Sequence, residues 1–393
     1  MLPLTYLDHA ATTPLLPEVA QAMAAVHAEP LGNPTGSHPA GQRARRLLEE
    51  ARDQVAAVVG GAPADVIFTS GGTESANLAV LGTMRAIVAA TGARPVVAHS
   101  AVEHPAVLES CRAAGLENLA EVHVLGVDGA GVVDLAAFEE WLTATVPDGP
   151  LLVALMAANN ETGVCQPVAR AAELVHQHRP GALVFSDAVQ AAPFIDLAPL
   201  AATVDLLSLS AHKVGGPVGT GVLVVRPPTT VAPLLHGGGQ ERERRSGTQD
   251  VAGAVGLATA LGLAAAGRAA AVARVTGLRD RLADGLTSRI DGVHRTVPPG
   301  VATLPGHLHL CLEGIEREEL LVVLGRDGVC ASGGSSCASG ALEPSHVLMA
   351  MGVPDELARG AVRFSLGAGT TEEEVARALV VVPEVVASLR RAV

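Results

Sequence analysis

Ser208-Leu209-Ser210-Ala211-His212-Lys213-Val214-Gly215-Gly216 holds the only lysine in a chain of 393 residues. Every other basic side chain, histidines apart, is arginine. Either would serve for solubility or for a surface ion pair, so the exception asks for a chemical reason. A desolvated ε-amine can lose its proton and attack a carbonyl to form a Schiff base, whereas a guanidinium cannot. Compositional bias could leave a stray lysine anywhere. This one stands between a histidine and two glycines, just after the apolar run 204–209, where the end of a buried strand would present it.

Working outward from Lys213, strands and helices alternate. Apolar runs of strand length lie at 66–69, 96–98, 151–157, 182–185, 206–208 and 221–225. Helical patterns at 17–27, 40–59, 70–90, 103–114 and 168–178 fill the intervals. Buried strands alternating with helices predict an α/β fold built on a doubly wound, mostly parallel sheet. After about residue 250 the texture changes. Two Ala-rich helices are expected over 251–267 and 269–290, then a strand at 307–312, a helix at 318–325, a Gly/Ser-rich loop at 331–340 and a strand at 362–366. Thr371 and Glu374 form a capping box that opens a last helix. The expected division is a large cofactor-binding domain over 16–266. A smaller α+β domain comprises 1–15 and 267–393, with the N-terminal arm joining it.

Composition narrows the function. Nearly half the residues are apolar, but Trp141 and Tyr6 are single copies, so Ala, Val and Leu must fill the core. A net charge of −13 disfavours nucleic acid or an anionic membrane as partner. The longest apolar region, 251–267, is short for a membrane span and reads as a buried helix. The N-terminal residues show no cationic stretch before an apolar one, so no secretory leader is expected. Five cysteines, at 111, 165, 311, 330 and 337, are odd in number and lack short paired spacing. That argues against a disulfide framework or a metal site and suits a reducing cytoplasm.

In an open α/β sheet, ligands bind beyond the carboxyl ends of the strands. Four polar groups fall at such ends. Gly71-Gly72-Thr73-Glu74 opens a helix whose N–H groups can hold a phosphate, although the same residues could be only a cap. Asn159-Asn160-Glu161-Thr162-Gly163 follows the strand at 151–157 and reads equally as a turn or as a binding loop. Asp187 and Gln190 lie one helical turn apart after the strand at 182–185, and Ser210, His212 and Lys213 close the set. Together they describe a site for pyridoxal phosphate. That cofactor needs a Schiff-base lysine, a carboxylate for its pyridine nitrogen and donors for its phosphate. Lys213 and Asp187 supply the first two, and Thr73, Ser210 and His212 supply phosphate donors. Gln190 or Asn160 can reach the phenolic oxygen, and His104 can stack on the ring.

The chain resembles the cysteine desulfurases of the class V aminotransferase family, which have the fold of type I pyridoxal-phosphate enzymes. The resemblance runs nearly the whole length. It is carried by Tyr6-Leu7-Asp8-His9-Ala10-Ala11-Thr12-Thr13, Gly72-Thr73-Glu74-Ser75, Glu103-His104, Asn159-Asn160-Glu161, Ser186-Asp187-Ala188-Val189-Gln190 and His212-Lys213. It continues through His236-Gly237-Gly238-Gly239-Gln240-Glu241-Arg242, Arg245-Ser246-Gly247-Thr248 and Arg363-Phe364-Ser365-Leu366-Gly367. The resemblance implies a sheet of the seven-stranded type and a homodimer in which Thr248 reaches the cofactor phosphate of the partner subunit. It also implies that Arg363, with Asn160, holds the substrate carboxylate, a bidentate task that suits a guanidinium.

Cys337, in Ser332-Gly333-Gly334-Ser335-Ser336-Cys337-Ala338-Ser339, is the sulfur-handling residue that the resemblance implies. This loop and Leu342-Glu343-Pro344-Ser345-His346 after it resemble the long-loop, housekeeping group, except that Ala338 stands where the group usually has threonine. The expected reaction takes sulfur from L-cysteine, leaves L-alanine and puts a persulfide on Cys337, with Lys213 and His104 moving protons. The sulfur would pass to an acceptor protein, either an iron–sulfur scaffold or a thiolation enzyme. The rival reading is a selenocysteine lyase, or another lyase of the same fold, that forms no persulfide. Cys111, Cys311 and Cys330 read as core, and Cys165 has no assigned role.

Overall fold

A computed structural model describes residues 4–334 and 345–392. Twelve strands are present among them, numbered here in chain order. β1 (Thr5–Tyr6) lies in the N-terminal arm. β2 (Val66–Thr69), β3 (Val96–Ser100), β4 (Glu121–Leu125), β5 (Leu151–Ala154), β6 (Leu183–Asp187), β7 (Leu206–Ser210) and β8 (Gly221–Val225) build the large sheet. β9 (Val293–Arg295), β10 (His307–Leu312), β11 (Val329–Cys330) and β12 (Ala361–Ser365) follow. The large sheet has the order β2-β8-β7-β6-β5-β3-β4. β8 runs antiparallel to both its neighbours and every other pairing is parallel. All strands but β8 therefore point the same way, and their carboxyl ends open onto one edge.

The runs that pattern found as strands are the buried ones, because a strand covered on both faces is continuously apolar. β4 was not expected. It is an edge strand, and its residues Glu121, Val122, His123 and Val124 are exposed or half-exposed, which breaks the pattern. β1, β9 and β11 have two or three residues each and were also missed.

The 251–290 region corrects the expectation of two helices. A single helix runs over Val251–Thr287. Gly267 suggested a break, but a glycine weakens a helix interior by only about 1 kcal/mol, and Gly267 has open space around it. This helix belongs to two cores. Leu257 and Leu261 pack in the core under the large sheet, while Val275, Leu278, Leu282 and Leu286 pack with Leu308, Leu310 and Phe364 in a second core. The second core lies on one face of the antiparallel sheet β12-β10-β9. Its register sets His307 opposite Ser365 and His309 opposite Arg363, so alternation puts these four on the other face.

The N-terminal arm ties into this second unit. β1 pairs in parallel with β11, and Asp8 bridges Ser365. At the opposite end of the chain, Thr371 N donates to Glu374 Oε2 at 2.9 Å and Glu374 N to Thr371 Oγ1 at 3.2 Å. That is the reciprocal cap expected from sequence, and it opens the helix Glu372–Ala392. Glu374 Oε1 also accepts Tyr6 N at 3.1 Å, fastening the arm to the last helix.

Candidate active site

The site forms where the carboxyl ends of β2, β3, β5, β6 and β7 meet the N-terminal arm and β12. Gly72, Thr73, His104, Asn160, Asp187, Gln190, Ser210, His212, Lys213 and Arg363 line one cavity of about 250 Å³.

Lys213 ends the short turn Ala211–Lys213 directly after β7. The turn is tight, with Gly216 N donating to Ala211 O at 2.9 Å. Gly215 follows at φ +78°, a conformation open to glycine. Lys213 Nζ donates to Ala10 O at 2.6 Å and to Ala11 O at 2.8 Å, so the arm holds the amine. Asp187 closes β6. Its Oδ1 accepts Val189 N and Ser208 Oγ, both at 3.0 Å, which fixes the carboxylate plane.

His104 caps the helix Pro105–Leu116, and its Nδ1 accepts Ala106 N at 3.1 Å. The neutral ring therefore carries its proton on Nε2. Burial pushes its pKa below the ordinary value. Burial and the neighbouring Lys213 push His212 down to about 4. Both shifts favour the neutral ring at pH 7. Beside His104, the fully buried Glu103 accepts Met156 N at 2.6 Å, and burial drives its pKa well above the carboxylate range.

The two adjacent asparagines divide their work. Asn159 makes the turn: its Oδ1 accepts Glu161 N and Thr162 N, and its Nδ2 donates to Val102 O, all at 2.9 Å. Asn160 lines the cavity, and its carbonyl accepts Arg363 NH1 at 2.7 Å. Gln190 lines it too, but its Nε2 is committed to Ala10 O at 2.8 Å. Of the two candidates for a phenolic oxygen, Asn160 thus has the less committed side chain.

Thr248 is not among the cavity residues; it is exposed on the segment after β8. That segment is held under strain. Glu241, Arg242 and Glu243 have φ of 48°, 57° and 65°, which costs about 1 kcal/mol for each residue that is not glycine. Glu241 is anchored by the buried Arg52 at 2.7 and 2.9 Å, and Arg245 pairs with Glu74 at 2.8 Å. Glu74 belongs to the helical run 72–91 that starts at Gly72, so this ion pair joins the two segments.

Cys337 lies outside the described residues. Cys111 and Cys311 are buried, as expected. Cys330, expected in the core, is only partly buried because β11 is two residues long and flanks the arm. Cys165 is half-buried, and desolvation raises its pKa to about 11, so it is protonated at pH 7.

The residues present fit pyridoxal phosphate. The Lys213 amine, a fixed carboxylate and a flat histidine ring share the cavity with the opening turn of a helix. A Cβ on Gly72 would come within 2.9 Å of Val189 Cγ2, so the turn packs against Val189 more closely than a larger residue allows without a shift. Sequence reasoning missed the arm's part. The carbonyls of Ala10 and Ala11 carry no side-chain signal, and Asp8, which touches Arg363, stood unexamined inside a recognised motif.

Comparison with known proteins gives the family. The sequence profile described as aminotransferase class-V matches residues 5–378. An IscS-like cysteine desulfurase of Mycobacterium tuberculosis is 43% identical over 389 residues, covering 99% of this chain and 98% of that protein. Among solved structures, a NifS-like protein superposes with a TM-score of 0.89 at 35% identity, covering 98% of this chain and 100% of that one. SspA in complex with cysteine matches with a TM-score of 0.77 at 27% identity, over 93% of this chain and 99% of that one.

Proposed function

The chain belongs to the class V aminotransferase family and is a pyridoxal-phosphate-dependent cysteine desulfurase, and from that footing we propose how its own residues divide the work. The observation that carries the proposal is the cavity that gathers Lys213, Asp187, His104 and Arg363. Lys213 would hold the cofactor covalently, with Asp187 at its ring nitrogen and His104 beside the ring. Gly72, Thr73, Ser210 and His212 would hold the phosphate, and Asn160 or Gln190 the phenolic oxygen. Once bound, the cofactor acts as an electron sink for negative charge at the substrate Cα.

Arg363, with Asn160, takes the carboxylate of L-cysteine. The Lys213 amine removes the Cα proton, and the Ala10 and Ala11 carbonyls then hold the resulting ammonium. His104 Nε2 is placed to pass a proton beside the ring. The Cys337 thiolate attacks the substrate sulfur, the Cβ–S bond breaks, and its electron pair remains with carbon, which takes up a proton. L-Cysteine and the Cys337 thiol become L-alanine and a Cys337 persulfide, with atoms and electrons in balance. The persulfide sulfur passes to an acceptor protein, either an iron–sulfur scaffold or a thiolation enzyme, and that transfer restores the thiol.

The active unit in this reading is a homodimer in which Thr248 completes the phosphate site of the second copy. Its exposure on an anchored, strained segment supports this. We place the enzyme in a reducing cytoplasm, which four free thiols among the described residues favour.

Cys337→Ala tests the chemistry. The variant holoenzyme should keep its visible absorption and its response to added cysteine, yet form no persulfide and little alanine, while Cys330→Ala stays active. Alanine production by Cys337→Ala at the wild-type rate would reject the persulfide route and favour a lyase of the selenocysteine kind.

A further inference from the structure

The roles above leave Asp8 unexplained. The arm runs beside β12, with His9 N donating to Ser365 O at 3.1 Å and Ser365 N to Leu7 O at 2.7 Å. This register lays Asp8 over the neighbouring Arg363, whose NH2 donates to Asp8 Oδ1 at 2.7 Å. Arg363 NH1 is spent on Asn160 O at 2.7 Å and Gly334 O at 3.4 Å. The Arg363 side chain is 1% exposed and that of Asp8 is 20% exposed. A substrate carboxylate approaching this guanidinium therefore meets an ion pair already made, and the chain's own carboxylate is the more solvent-facing half.

We infer that Asp8 is an internal stand-in for the substrate carboxylate, a positioning residue that keeps Arg363 paired between turnovers and yields it to the incoming amino acid. This rests on the reading of Arg363 as the substrate arginine. The physical reason is the penalty on a buried charge left without a partner, which far exceeds the small net worth of the pair itself. Exchanging one carboxylate for another keeps Arg363 neutralised throughout. Two carboxylates sharing the edge formed by NH2 and the buried Nε, which has no partner among the described residues, would repel each other. The exchange also confers specificity, because a thiol without a carboxylate has nothing to offer Arg363 in place of Asp8.

The test measures binding to the holoenzyme by calorimetry with two probes. 3-Mercaptopropionate carries the carboxylate but no amine to react with the cofactor, and cysteamine carries the amine but no carboxylate. Asp8→Asn keeps the size and an acceptor oxygen but removes the competing charge. It should tighten 3-mercaptopropionate roughly tenfold, lower KM for L-cysteine with little change in kcat, and leave cysteamine within about twofold. Asp8→Glu restores a carboxylate and should return 3-mercaptopropionate binding toward the wild-type value. Unchanged or weaker binding of 3-mercaptopropionate by Asp8→Asn overturns the inference, since Asp8 would then only orient the guanidinium. Arg363→Gln separates the underlying reading. If it binds 3-mercaptopropionate as well as wild type, Arg363 is not the substrate arginine; if it loses the probe while Asp8→Asn gains nothing, only the stand-in role fails.

Discussion

His307 and His309 lie on the β10 face shared with Arg363, and both are fully buried. Desolvation, with Arg363 adding repulsion, pushes each pKa down to about 3. The unfolded chain takes up protons on these rings below about pH 6.5, while the folded chain does not until about pH 3. In that window the unfolded state binds more protons, so stability is complete above about 6.5 and is lost as pH falls toward 3. The slope is at most about 1.4 kcal/mol per pH unit for each ring. Thr296 Oγ1 meets His309 Nδ1 at 2.7 Å. An asparagine can keep that bond, so His309→Asn should flatten the fall of the thermal midpoint between pH 6.5 and 4. An unchanged slope would show that His309 does not drive acid unfolding. Neither histidine drew notice in the sequence, because burial and the company of Arg363 come only from the pairing of β10 with β12.

Single elements show where pattern reading succeeds and where it stops. β2, β3, β5, β6, β7 and β8 were legible as apolar runs because the fold covers both their faces. The helix Val251–Thr287 was legible in kind but not in length, since nothing in its composition says whether a glycine ends a helix or is carried through it. Surroundings decide that. Gly277 is exposed with nothing near its missing Cβ, whereas a Cβ on Gly285 would meet Leu379 Cδ2 at 2.4 Å. Gly277→Ala should therefore stabilise the protein by roughly 0.5–1 kcal/mol. Gly285→Ala should destabilise it by about 1–3 kcal/mol through overpacking. Denaturation midpoints of the two variants should move in opposite directions; a shared direction would mean the helix is not packed on Glu372–Ala392 as described. The candidate site was legible for a related reason. Polar residues at the ends of buried strands stand out against apolar surroundings, and the fold delivers them to one edge.

For the whole molecule, we propose the division into 16–266 and 1–15 with 267–393. Two separate cores support it, although the boundary falls inside one unbroken helix that serves both. The proposed pairing of two copies has no signal in the strand and helix patterns and rests on the family resemblance. It predicts complementation. Lys213→Ala cannot carry the cofactor covalently, and Thr248→Ala should hold it weakly. If Thr248 serves the second copy, a mixed dimer regains one complete site, with Lys213 from one chain and Thr248 from the other. Mixing the variants under subunit exchange and limiting cofactor should restore activity that neither has alone. Failure to regain any, with mixed dimers demonstrated, would confine Thr248 to its own chain.

The arm's contacts also bear on when the enzyme becomes competent during its own synthesis. Thr5 and Tyr6 pair with Val329 and Cys330, and Asp8 bridges Ser365. The arm is thus made well before the residues it pairs with. While the ribosome is still extending the chain past β8, the large sheet and Lys213 are complete, but Asp8 has no Arg363 to face. At about 5–20 residues per second, the interval from Lys213 to Arg363 lasts on the order of ten seconds. With Arg363 as the proposed carboxylate site, a nascent chain in that interval has its amine but not that arginine, and so would not yet liberate sulfur.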